Sequence, residues 1–386
     1  MDEKVALLNI QRCNSHGAVL LAYALEQVLA DNGYTAENLD YKYAGRITEK
    51  SFFKKAFKVF KIKAKKHLHL SYAGKKFLDV SLKKEYDLQS ENFGLFRNNY
   101  LHLTREITDV NDSILKDYDR FVVGSDVVWK PQIAACEDRE IYFLKSVPEN
   151  ALKIAYAASV GTNDEQELTE HDEYYQGAFD SLDRISIREQ SMIPFVQKYT
   201  DKDIVSVIDP IFLLTPERYR EIELNSQKKV LGKPYIYLYI LSGNKEAVKF
   251  AEYVANKYNY SILADMNDDF DNSKIITVNS ESAISCGPRE FIYNIRNAKM
   301  VITDSFHATA FSILFNIDFY VFNRGNISVR MRDLADRFNL SDRMCSGKLS
   351  DNSIDWDSVN SMISKERESG LNYLLGALKG KNNNEE

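Results

Sequence analysis

The stretch from Met300 to Asn316 does most to limit what this chain can fold into. Met300-Val301-Ile302-Thr303 is apolar and bounded by polar residues, the pattern of a buried strand. Asp304 or Ser305 can then cap a helix, whose Phe311, Leu314 and Phe315 recur at the i, i+3, i+4 spacing of a core-facing stripe. His307 falls in the first helical turn, at the carboxyl end of a strand. In open α/β sheets ligands sit there, facing orphan backbone N–H groups and the positive helix end. On this stretch alone, a histidine that merely packs or caps is an equally good reading.

The rest of the chain repeats the pattern. Val5 to Ile10 reads as a strand, followed by the polar loop Gln11 to Gly17, a helix from Ala18 to about Asp31 stopped by Asn32-Gly33, and a strand from Ala36 to Leu39. This is a βαβ opening without GxGxxG, so no dinucleotide fingerprint is present. Later strands end at Gly124-Ser125-Asp126, with Trp129 close behind, at Ser159-Val160-Gly161, at Arg188 and at Asp209-Pro210. Such endings in series place small or ionisable residues along one crevice. A helix is expected from Glu189 to Tyr199. After a weakly periodic stretch near Leu213 to Gly232, a second α/β unit starts at Tyr235-Ile236-Tyr237-Leu238-Tyr239-Ile240-Leu241. Gly287-Pro288-Arg289 opens a helix, Phe319 to Phe322 is a strand, and a last helix runs from about Trp356 to Leu378.

These signals give an α/β protein of two doubly wound, Rossmann-like domains facing a cleft. The first spans 1–213 and carries a basic helical insertion at about 50–118. The second spans 214–365, and a terminal helix with a disordered tail occupies 366–386. The chain is 386 residues long, beyond one ordinary core, and 44% apolar. From Phe52 to Lys84 lysines recur almost without acids, while Phe53, Ala56, Phe57, Phe60 and Ala64 share one helical face. That segment reads either as an amphipathic helix in peripheral contact with anionic lipid or as a solvated helical insertion; composition favours the insertion.

A net charge of -6 argues against nucleic-acid binding. Cys13, Cys136, Cys286 and Cys345 are scattered without a CxxC pair, so no metal site is expected and a reducing compartment fits. The N-terminus runs directly into a strand, and no apolar run approaches the ~18 residues of a membrane span. The expected location is cytoplasmic, with membrane association through the basic segment as the variant.

Six motifs in order carry a resemblance to a known family. They are Ser15-His16-Gly17-Ala18, Val123-Gly124-Ser125-Asp126-Val127-Val128-Trp129, Ser186-Ile187-Arg188-Glu189, Asp209-Pro210, Gly287-Pro288-Arg289-Glu290-Phe291 and Thr303-Asp304-Ser305-Phe306-His307-Ala308-Thr309. Together they resemble the polysaccharide pyruvyl transferase family over most of the chain. The resemblance implies a GT-B-like architecture. It also implies transfer of a pyruvyl group from phosphoenolpyruvate to a hydroxyl pair of a surface or capsular polysaccharide, or of its lipid-linked precursor, giving a ketal. Phosphoenolpyruvate is then a co-substrate, and neither cofactor nor metal is implied. Two departures stand out. The glycine loop, usually similar to Asn-Tyr-Gly, is Ser15-His16-Gly17, and some branches carry an arginine where this chain has Ser305. If that arginine holds the donor, Arg324, Arg330 or Arg332 must substitute.

Ketal formation asks for cations on the donor, a proton source for the methylene carbon and a base for the hydroxyls. Arg188 suits a carboxylate or phosphate oxygen pair. His307 suits the proton work, since its ordinary pKa of about 6.5 makes both forms accessible. A helix N-terminus should lower that pKa and a bound trianion should raise it, so His307 is expected to act as an acid once donor is bound. Asn14, His16, Gly17, Ser125, Asp126 and Trp129 are the candidates for acceptor contact. Among them His16 can equally serve as a second base and Asp126 can equally cap a turn. Asp209, Asp304 and Arg289 read as supporting residues, Asp304 as a helix cap rather than a catalyst. His67, His69, His102 and His171 read as surface residues. Two rival readings remain: a GT-B glycosyltransferase using a nucleotide sugar, and a non-catalytic sugar-binding module on the same fold. Retaining glycosyltransferases of that fold often carry paired glutamates eight apart, and none occur between Glu217 and Glu290.

Overall fold

The computed structural model describes residues 4–42, 72–131, 139–162, 164–224, 233–242, 244–266, 280–322, 329–344 and 347–380. The basic stretch at 53–66, with the lipid contact expected of it, His67, His69, Arg324 and the tail from 381 onward all lie outside the described residues.

The first half runs β1 (Lys4–Leu8), α1 (His16–Asp31), β2 (Thr35–Asn38), α2 (Tyr72–Tyr100), β3 (Arg120–Val123), β4 (Leu152–Ala158), α3 (Glu165–Glu170), β5 (Arg184–Ile187), α4 (Ile193–Val196), β6 (Ile204–Ser206) and α5 (Pro216–Arg220). The second runs β7 (Tyr235–Ile240), α6 (Lys245–Tyr258), β8 (Ser261–Met266), β9 (Ser280–Ser282), α7 (Pro288–Arg296), β10 (Met300–Thr303), α8 (Phe306–Leu314), β11 (Phe319–Val321), α9 (Val329–Arg337) and α10 (Trp356–Leu378). Two parallel sheets result, in the orders β2-β1-β3-β4-β5-β6 and β11-β10-β7-β8-β9. A parallel sheet is covered by helices on both faces, which is why β7 is apolar throughout and buried at every residue. Strand order reverses beside β1 in the first sheet and beside β7 in the second, and crevices form at the carboxyl ends of such strands.

The expected boundary at 213/214 falls between the two sheets. The cleft between the halves is filled: one hydrophobic cluster joins Leu21 and Leu25 of α1, Phe93 and Phe96 of α2, Phe291 of α7 and Phe311 of α8. α10 then returns from the second half to the first. Arg120 Nε donates to Leu378 O at 3.0 Å, Arg367 Nε donates to Phe212 O at 2.7 Å, and Gly370 packs against the Tyr156 hydroxyl. Between Glu189 and Tyr199 one helix was expected, but the chain makes short turns around α4 instead. Pro194 sits there, and proline lacks the N–H that a continuous helix needs.

Candidate active site at the strand ends

Asp209 is the point on which the strand ends converge. It is 1% exposed and follows β6; its Oδ1 accepts from Ile211 N at 3.1 Å, capping the turn Pro210–Leu213. Its Oδ2 accepts from Ser125 Oγ at 3.0 Å, beyond β3, and from Arg188 Nη1 at 2.7 Å, beyond β5. The exit from β3 is shaped by Asp126, whose φ of 76° is left-handed in a residue other than glycine. Strain of this kind persists where surroundings hold it. Here Asp126 O accepts from Ser159 N at 3.0 Å, which ties the β3 exit to that of β4.

Arg188 is held from two sides. Besides Asp209, its Nε donates to Glu189 Oε1 at 3.0 Å, and the same oxygen accepts from Ser159 Oγ at 2.9 Å. The guanidinium lies over the Phe306 ring, 4.0 Å from its centroid, a cation–π contact. Nη2 is buried and has no hydrogen-bond partner among the described residues. Burial alone would lower the pKa of Arg188, but the carboxylates of Glu189, Asp209 and Asp126 outweigh it and raise it, so the group stays charged. For Asp209, burial would raise the pKa; Arg188 and His307 win and hold it below the usual carboxylate range.

His307 comes from the second half. Ser305 caps α8, its Oγ accepting from Ala308 N at 3.4 Å. Asp304 has a different task from the expected helix cap. It accepts from Leu241 N at 2.7 Å, from Ser242 N at 2.8 Å and from the Ser242 hydroxyl, fastening the exit of β10 to that of β7. His307 is 7% exposed. Its Nε2 stands 4.0 Å from Asp209 Oδ2, beyond hydrogen-bond reach, and has no hydrogen-bond partner among the described residues. Burial lowers its pKa; Asp209 and Asp126 pull up, Arg188 and Arg330 push down, and the net direction is down. The imidazole is therefore neutral near pH 7. The direction agrees with the expectation, but burial rather than the helix end leads.

The other expected site residues divide. Ser125, Arg188, Asp209 and His307 meet around one carboxylate, and Gly17 of α1 packs directly on the His307 ring. His16 does not face an acceptor. It is 3% exposed, stacked on Phe291 at 4.5 Å and packed on Phe93, with Nδ1 3.1 Å from the Tyr239 hydroxyl and Nε2 3.2 Å from Cys286 O. A carbonyl only accepts, so Nε2 carries the hydrogen and Nδ1 accepts from Tyr239. Both nitrogens are occupied, and burial lowers the pKa to about 4, which corrects the readings of His16 as acceptor ligand or second base. Trp129 is likewise core: fully buried, with Nε1 donating to Tyr142 O and the indole against Phe143 and Phe179. Asn14 is exposed and bonded to Ser90 and Arg97. Arg289 donates to Ile222 O and lies over Tyr100, a structural role away from the Asp209 cluster. Of the candidate cations, Arg330 lines a small cavity with Arg188, whereas Arg332 is exposed and does not. Glu189, Phe306, Asp333 and Arg337 also line that cavity, and sequence assigns them no role there. The signals are present: Glu189 and Phe306 stand inside two of the six motifs, and 330, 333, 334 and 337 share one helical face. Among the described residues no group of three or more His, Cys, Asp or Glu is placed to hold a metal ion, and no helix is long and apolar enough to cross a membrane.

Two solved structures similar to this one are UDP-N-acetylglucosamine 2-epimerases. The UDP-N-acetylglucosamine 2-epimerase of Rickettsia bellii aligns with a TM-score of 0.52 at 9% identity, over 98% of this chain and 97% of that one. The UDP-GlcNAc 2-epimerase of Methanocaldococcus jannaschii in complex with UDP-GlcNAc and UDP aligns with a TM-score of 0.49 at 11% identity, over 98% and 100%. The likeness establishes a GT-B-like fold of two Rossmann-like units. No curated protein matches the chain. The family model described as polysaccharide pyruvyl transferase matches residues 16–326, a span that holds α1, the Asp209 cluster and His307, and the chain belongs to that family.

Proposed function

We propose that this transferase moves a pyruvyl group from phosphoenolpyruvate to two hydroxyls of a carbohydrate acceptor, forming a ketal and releasing phosphate. The observation that carries the reading is a pair of buried nitrogens without hydrogen-bond partners among the described residues, Arg188 Nη2 and His307 Nε2, on groups flanking the same Asp209 carboxylate. Buried polar atoms are nearly always paired, so two unpaired ones beside an ionised carboxylate suit a polar ligand.

In this reading Arg188 Nη2 donates to a carboxylate oxygen of the donor. The bound trianion raises the pKa of His307, and Asp209 steadies the imidazolium that forms. His307 gives its proton to the methylene carbon, leaving an oxocarbenium-like carbon that the first hydroxyl attacks, its proton returning to Nε2. Phosphate departs and the second hydroxyl closes the ring, its proton ending on phosphate. Acid–base help of this kind is worth ~10²–10⁴ in rate. The test is phosphate release from phosphoenolpyruvate across galactosyl, mannosyl and glucosyl acceptors, with His307→Gln as comparison. Release that needs an acceptor and disappears in H307Q is expected; stabilisation by nucleotide diphosphates but not by phosphoenolpyruvate would sink the reading.

A further inference from the structure

The strand ends that carry Arg188 and Asp209 are covered from the second half by α9. Arg330, Asp333 and Arg337 lie on one face of that helix and form a wall of a small cavity, with Arg188, Asp209 and Phe306 opposite. The helix is fastened across it. Asp333 Oδ2 accepts from Ser191 N at 3.0 Å and from Ser191 Oγ at 2.8 Å. Arg337 Nη2 donates to Ser206 Oγ at 2.6 Å, and its Nη1 pairs with Glu366 Oε2 at 2.8 Å.

Two quantities conflict with this arrangement as the donor-bound state. The cavity encloses about 10 Å3, the room of roughly one water, and phosphoenolpyruvate does not fit. Charge is the second. Arg188 is already flanked by Glu189 and Asp209, so the trio presents a net negative charge to an incoming trianion. The facing wall brings two arginines, Arg330 and Arg337, against the carboxylate of Asp333. Arg337 also pairs with Glu366, and the charge of Arg330 reaches His307, where it opposes protonation.

We infer that α9 is the closing half of the donor site: Arg330 meets the phosphate of the donor opposite Arg188, and the Asp333–Ser191 and Arg337–Ser206 contacts part to admit it and re-form over it. The inference rests on the phosphoenolpyruvate reading above and deepens it. Bringing phosphate between Arg330 and His307 also replaces a repulsion with an attraction at the imidazole, so closure and activation of the acid become one event.

The test compares Arg330→Ala and Arg330→Lys with Arg332→Ala, an exposed change on the same helix. R330A should raise KM for phosphoenolpyruvate tenfold or more and remove most of the Tm rise that the donor produces, R330K should recover part of both, and R332A should match wild type. Backbone amide exchange in α9 should slow when donor binds. A KM for R330A within twofold of wild type, or exchange in α9 that ignores the donor, overturns the inference. If wild type itself does not respond to phosphoenolpyruvate, the donor reading fails, and inorganic phosphate becomes the probe. Stabilisation by phosphate that vanishes in R330A then supports an anion site on α9, and its absence in wild type or persistence in R330A overturns it.

Discussion

Gly17 lies so close to His307 that a Cβ at position 17 would fall 1.9 Å from the imidazole Nδ1. The first turn of α1 thus forms a wall for the ring and leaves no room for a methyl group. Gly17→Ala must rotate the imidazole or displace α1, which anchors the core shared by both halves. Overpacking of this kind costs about 1–3 kcal/mol. The variant should fold with a lowered Tm and lose at least tenfold in acceptor-dependent phosphate release. Activity equal to wild type would show that the ring has freedom the packing denies it.

Arg188 uses Nε on Glu189 and Nη1 on Asp209, and keeps Nη2 in reserve. A lysine ammonium can satisfy the two carboxylates but cannot present a third nitrogen in the same plane. Arg188→Lys should therefore fold, by circular dichroism, and lose about hundredfold or more in kcat/KM for phosphoenolpyruvate. A loss under threefold would argue that Nη2 meets no substrate.

His16 makes stability depend on pH in one direction. Its folded pKa is lowered to about 4 by burial, against an ordinary value of 6.5. Between those values the unfolded chain takes up a proton that the folded chain refuses, so stability is lost as pH falls from 6.5 towards 4, by roughly 3 kcal/mol in all. His16→Gln should be less stable at pH 7, having lost its fit among Phe93, Phe291 and Tyr239, yet flatter across that window. Urea denaturation at half-unit pH steps reads the difference, and parallel curves would contradict it.

Asp265 works in the opposite direction. Burial raises its pKa to about 7, despite the Tyr237 hydroxyl donating to Oδ2 at 3.0 Å, and the charge of Glu85 adds to the rise. The stability it contributes is complete below the unfolded value of 3.8 and is lost as pH rises through about 7. Asp265→Asn should thus gain on wild type above pH 7, by about 1–3 kcal/mol at pH 8.5. The same urea series, carried on to pH 8.5, decides, and a slope between about pH 4 and 7 that matches wild type would falsify the assignment.

How far the sequence reaches can be seen in two histidines. The junction at His307 is legible because the apolar run, the capping serine and the helical stripe are adjacent in the chain, so local propensity and tertiary role agree. The strand endings at Ser125, Arg188 and Asp209 are legible in the same way. His16 is not. Its loop is polar and carries a glycine, which reads as an open, ligand-facing turn. It becomes core only because Phe93 arrives from α2, Phe291 from α7 and Cys286 O from the loop before α7. Burial produced by distant segments leaves no periodicity nearby. The same holds for α9, where Arg330 and Arg332 are indistinguishable by composition and differ only in which side of the helix meets the first half.

The return of α10 to the first half bears on how the protein is made. Leu378 closes a contact with Arg120, and Gly370 covers Tyr156 of β4, so that flank of the first sheet stays bare until residues near the end of α10 have been synthesised. Domains commonly fold from the N-terminus while the chain is still growing. Here the first Rossmann-like unit has to wait, with apolar surface uncovered, for a helix that begins 198 residues after β4 ends. A ribosome stalled before Trp356 should therefore carry a nascent chain whose first half remains a substrate for chaperones, and release of α10 should end that dependence.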